Sequence, residues 1–69
     1  ISLQILKNNT LEEHITKVPA LLVCVSGNAV YEDEKGIKAV LFSGDFVKIE
    51  PNVKHWVNGI ESTNLLLIK

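Results

Sequence analysis

The chain contains one cysteine, Cys24, and no methionine. A single cysteine permits no disulfide within the chain, so a small fold here has no covalent staple. No Cys/His cluster with zinc-finger spacing supplies a metal staple instead. An unpaired cysteine fits the cytoplasm. Long apolar runs are missing too: none approaches the length that spans a bilayer. Gln4 and Lys7 interrupt the N-terminal apolar stretch, which therefore does not read as a signal peptide. Charge of either sign is not in excess. The formal net charge is −1 and the lysines are evenly spread, which argues against a nucleic-acid surface. Helix signals are almost absent. Only Thr10 to His14 has helical composition, with Thr10 and Glu13 spaced for a capping box, and Pro19 follows soon after.

What is present is apolar. Hydrophobic residues make up 46% of 69 positions, while a chain of this length buries only ~60% of its unfolded surface. Residues 1–69 read as one domain. A core this rich in so small a unit points to sharing, hence to a homodimer or to membership of something longer. A start at Ile1 with no methionine reads as a processed product or as the ordered part of a longer polypeptide.

The apolar residues fall in pieces of four to eight between turn residues, which is the pattern of strands. Ile1, Leu3 and Ile5 alternate with Ser2 and Gln4, and Asn8-Asn9 ends that strand. Leu11 to Thr16 can form a second strand with Glu12, His14 and Thr16 on one face. Ala20 to Val25 looks buried on both faces. Ser26-Gly27-Asn28 signals a tight turn, and Asp33-Glu34-Lys35-Gly36 an exposed hairpin loop with glycine at a bulge position. Strands at Ala29–Glu32, Ile37–Phe42, Phe46–Ile49, Lys54–Val57 and Asn64–Ile68 complete about eight. Short strands at close, regular spacing predict an all-β sandwich or barrel.

The most specific stretch runs from Gly44 to Asn58. A Gly44-Asp45 turn opens a strand, Pro51-Asn52 closes it, and His55 stands at the mouth of the next. This stretch resembles the second motif of the cupin superfamily: Gly, five residues, Pro, any, Gly, two residues, His, then Asn about three further on. Gly44 and His55 match. Glu50 stands at the proline with Pro51 beside it, Asn52 stands at the second glycine, and Asn58 falls one residue early. Asparagine tolerates the left-handed conformation that the glycine would adopt. The first cupin motif is matched by His14 and Gly27, with Thr16 in place of the second histidine and Ala20 in place of the glutamate.

The resemblance implies a small jelly-roll β-barrel, about eight strands, with the ligand positions facing one cavity. His14 and His55 are then the surviving metal ligands, and Thr16, Ala20, Leu22 and Cys24 line the cavity. Two imidazoles can hold a divalent transition metal (Zn, Fe, Ni, Cu or Mn), although catalytic sites use three protein ligands or more. Without metal, the pair can bind an anionic or polar small molecule, or act as acid and base near neutral pH. The plainer alternatives are that His14 bonds a backbone carbonyl and that His55 caps a strand entry at the surface. Cys24 reads more simply as a small core residue. Trp56 alternates with His55 and should face away from the cavity, while Tyr31 and Phe46 read as packing residues. The acidic run Glu32-Asp33-Glu34 reads as a solvated hairpin tip. Three functions remain open: a barrel binding a small molecule or metal, a metal-dependent oxygenase or isomerase, and a structural or regulatory dimerisation module.

Overall fold

The computed structural model describes the backbone of residues 1–69 and every side chain except those of Glu13 and His14. Eight strands form: β1 (Ser2–Ile5), β2 (Thr10–His14), β3 (Ala20–Ser26), β4 (Asn28–Asp33), β5 (Lys38–Phe42), β6 (Phe46–Ile49), β7 (His55–Gly59) and β8 (Thr63–Ile68). They make two four-stranded antiparallel sheets, ordered β1-β8-β3-β6 and β2-β7-β4-β5. The fold is the all-β jelly roll expected. Thr10 to His14 is strand, not helix; pairing with β7 outweighs the weak local signal.

Period-two alternation decides which side chains enter the core. Ala20, Leu22 and Cys24 on β3 face inward, as do Ala29 and Tyr31 on β4, Val57 on β7, and Leu65 and Leu67 on β8. Ile5, Leu41 and Ile49 close the cluster. Burial on both faces of β3 is not what the structure shows. Leu21 and Val23 are half-buried and Val25 is exposed, because no second layer among the described residues packs on the outside of the first sheet.

Ser26-Gly27-Asn28 does turn tightly, but it does not close a hairpin. β3 and β4 lie in different sheets with Gly27 alone between them, so the turn is the corner where the chain changes layer. Gly27 has φ +91°, and a Cβ placed on it would stand 2.3 Å from the Ser62 carbonyl oxygen. Only glycine fits both constraints.

A second departure concerns β2. Leu11 pairs with Val57 and His14 with His55, so three steps on β2 match two on β7. This bulge changes the phase of the alternation. Glu12 is consequently exposed, whereas Thr16, just past the strand, is buried. The expected shared face of Glu12, His14 and Thr16 is therefore broken.

Candidate binding site at one end of the sandwich

The antiparallel topology gathers the end of β2, the start of β3, the end of β4, the end of β6 and the start of β7 at one end of the sandwich. His55 enters there. The Pro51-Asn52 turn puts Asn52 at φ +63°, the left-handed conformation anticipated for asparagine in place of glycine. The Asn52 amide donates to the Thr16 carbonyl at 2.8 Å, tying this turn to the segment after β2.

His55 begins β7 and is only 1% exposed, which excludes a surface cap. Its ring stacks on Tyr31 with centroids 5.8 Å apart and planes inclined by 28°. Nδ1 lies 3.2 Å from the Val53 carbonyl oxygen, and it donates there in the tautomer that carries the proton on Nδ1. In the β-ladder His55 stands opposite His14 on one side and Asp33 on the other. The side chain of His14, the other expected ligand, lies outside the described residues.

Asp33 and Tyr31 are the two neighbours that the sequence reading left out of the site. Asp33 is not part of a solvated tip: it is 8% exposed and on the inward face of β4, two residues from Tyr31. Its Oδ1 accepts the backbone amides of Lys35 at 2.9 Å and Ile37 at 3.1 Å. Burial pushes the Tyr31 phenol above its ordinary 10.0, with smaller contributions from Asp33 and Glu50. The alternation Ala29-Val30-Tyr31-Glu32-Asp33 carried the signal for both residues, since Ala29 is an evident core position.

Thr16 is 3% exposed, and its Oγ1 has no hydrogen-bond partner among the described residues. Ala20 sits inward at the start of β3. Leu22 and Cys24 lie deeper, packed into the hydrophobic core. The Cys24 thiol contacts the carbonyl oxygens of Ser26 at 3.6 Å and Gly27 at 3.8 Å, and burial, followed by Asp45, pushes its pKa above the ordinary 9.0. Trp56 faces outward as expected, and its indole donates to Glu32 at 3.2 Å. Asn58, one residue early against the motif, lands on that same outer face and also donates to Glu32, because a one-residue shift on a strand changes sides. Gly59 takes the inward position, where a Cβ would meet the Ile5 side chain at 2.8 Å.

Among the described residues the donor chemistry does not complete a metal centre. Ala20 offers no donor, the Cys24 thiol points to the Gly27 corner, and a threonine hydroxyl is a poor ligand. Among the described residues no group of three or more His, Cys, Asp or Glu side chains is placed to hold a metal ion. An apolar depression of about 550 Å³ opens at the same end, its lining including Ala20, Leu21, Lys48, Glu50, Pro51 and Ile68.

The jelly roll is shared with solved cupin structures. A cupin superfamily protein from Desulfitobacterium hafniense superposes with a TM-score of 0.91 at 18% identity, over 99% of this chain and 62% of that one. A conserved protein of unknown function from Streptococcus pyogenes gives 0.89 at 16% identity, over 97% and 58%. The cupin domain of Drosophila melanogaster CENP-C gives 0.87 at 20%, over 97% and 56%. Neither a family model nor a curated protein matches the sequence. This chain therefore has the cupin fold. It spans about three fifths of the length of these structures. Likeness at such low identity transfers architecture and not activity.

Proposed function

We propose that the chain is a small binding domain whose ligand is a small polar molecule held at the His55 end of the sandwich. The observation that carries this is the Thr16 hydroxyl, buried without a partner among the described residues, beside the turn that leads into His55. Buried hydroxyls are nearly always satisfied, and an exception calls for an absent partner. The Thr16 carbonyl is tied to the Asn52 turn three residues before His55, and His55 pairs across the ladder with Asp33, so an imidazole and a carboxylate belong to the same end of the sandwich. Residues 15–19, which include Thr16, belong to neither sheet, so a shift of this segment exposes the hydroxyl without breaking a strand pairing.

No reaction is assigned. A transition metal would need donors beyond those described, which is why the ligand is taken to be a molecule. Two measurements test the reading. Backbone NMR spectra titrated with inorganic phosphate and with acetate should shift Thr16, Asn52 and His55 together, and Thr16→Val should abolish the response. Neither probe perturbing these residues at millimolar concentration would remove the support. Elemental analysis after purification without chelators is the second: near-stoichiometric Zn, Fe, Ni, Cu or Mn, lost in His55→Ala, would replace the molecule with a metal.

A further inference from the structure

Two prolines, Pro19 and Pro51, flank the end of the first sheet where β3 begins and β6 stops. Neither has an amide hydrogen with which to extend the ladder, and the ring of each fixes its φ. Beside them the ladder sets Lys48 on β6 against Leu21 on β3, and Leu21 against Ile68 on β8. Alternation turns this row outward: Leu21 is half-buried, and Lys48 and Ile68 are exposed. The row and the two prolines line the depression of about 550 Å³, within the ~300–1,000 Å³ of small-molecule pockets. Its charged lining residues are Lys48 and Glu50, and they are not equivalent. Glu50 is engaged, because its Oε2 lies 2.8 Å from Nζ of Lys35 in the β4–β5 loop, which draws the carboxylate toward the second sheet. Lys48 pairs with no carboxylate among the described residues. The depression therefore carries one uncompensated positive charge at its rim.

We propose that this depression binds an alkyl carboxylate of medium chain length, its carboxylate against Lys48 and its chain lying across Leu21 toward Ile68. Length fits. From β6 across β3 to β8 is two strand spacings, ~10 Å, which the extended chain of octanoate covers. Charge selects the anion, since a carboxylate at Lys48 gains an exposed ion pair and an ammonium meets like charge. Apolar contact with Leu21, Ile68 and the proline rings supplies the rest, by removing the alkyl chain from water. The prolines are rigid before the ligand arrives, so these walls lose little freedom on binding. A sugar is a poor occupant, because its hydroxyls would find almost no polar surface in the lining. The depression lies on the outside of the first sheet, whereas His55 is buried within the sandwich. The proposal therefore does not depend on what the His55 end holds.

Amide NMR spectra of the 69-residue chain, titrated with octanoate below its micelle concentration, should shift Leu21, Lys48, Glu50 and Ile68 together and saturate. Octylammonium should bind the same residues about fivefold more weakly, the scale of one exposed charge pair. Lys48→Glu should invert that preference with an unchanged far-UV spectrum, while Ile68→Ser should weaken both ions alike. If Lys48→Glu does not fold, Lys48→Gln decides in its place by binding the two ions equally. No saturable shift with octanoate overturns the proposal. So does equal affinity of the wild type for the two ions, or a folded Lys48→Glu or Lys48→Gln that keeps the preference for octanoate. Shifts centred on Thr16 and His55 would assign the carboxylate to the other site and overturn it too. A second copy of the chain is the remaining occupant. If sedimentation equilibrium shows a dimer, dilution alone shifts the same four amides and octanoate does not, that copy fills the depression and the proposal falls.

Discussion

Thr16, Gly27, Cys24 and Tyr31 show how far single side chains are committed to the interior. An unpartnered hydroxyl at Thr16 lowers stability by its desolvation, so Thr16→Val should raise stability by about 1 kcal/mol in denaturant titrations without ligand. No gain would mean that the hydroxyl is satisfied. At Gly27 the Cβ clash and the positive φ act together. Gly27→Ala should lose roughly 2–4 kcal/mol, and a loss below one would mean that the Ser62 loop gives way. Cys24 is fully buried with its pKa raised, so it should resist thiol reagents in the native state at pH 8 and react at once in denaturant. Cys24 and Tyr31 are both neutral acids whose folded pKa lies above the unfolded value. Their stabilisation is complete below the unfolded values of 9.0 and 10.0 and is lost as pH rises through the folded ones. Melting temperature should therefore fall above pH 9, and Tyr31→Phe should flatten the upper part of that decline.

At the scale of elements, the β4–β5 hairpin rests on Asp33, whose carboxylate collects two loop amides while its own backbone bonds to Ile37 and Gly36. Asp33→Ala leaves those amides without their acceptor and should cost about 2 kcal/mol; a neutral result in urea titration would show that water replaces the carboxylate freely. All eight strands were legible in the sequence, because turn residues punctuate runs of fixed alternation. The bulge between Leu11 and His14 was not, since an extra residue in a strand leaves no mark in composition and is set by pairing with Val57 and His55. Asp33 escaped for a related reason: its neighbours Glu32 and Glu34 are acidic and partly or fully exposed, and the run reads as one solvated unit until alternation separates them. Of the candidate site, His55 was legible because the Pro51-Asn52 turn fixes its place. Thr16 was named from the motif, and its solitude could be seen only in the packing.

For the whole molecule, the pairing order matters more than any single contact. β1 pairs only with β8, and β2 only with β7, so both layers join the first strands to the last. β4 and β5 are the only strands adjacent in sequence that pair with each other. Closing chain-length loops before any reward arrives makes such folds slow, on the scale of milliseconds to seconds. The consequence is temporal. As these strands are synthesised, Ser2–Ile5 is made before the other seven yet has no partner until Thr63–Ile68 is made, and the hairpin around Asp33 is the one piece that can order early. Folding kinetics should divide accordingly: Asp33→Ala should slow refolding, whereas Leu3→Ala on β1 should chiefly speed unfolding. Equal effects on both refolding rates would place the first strand in the nucleus and reverse that order.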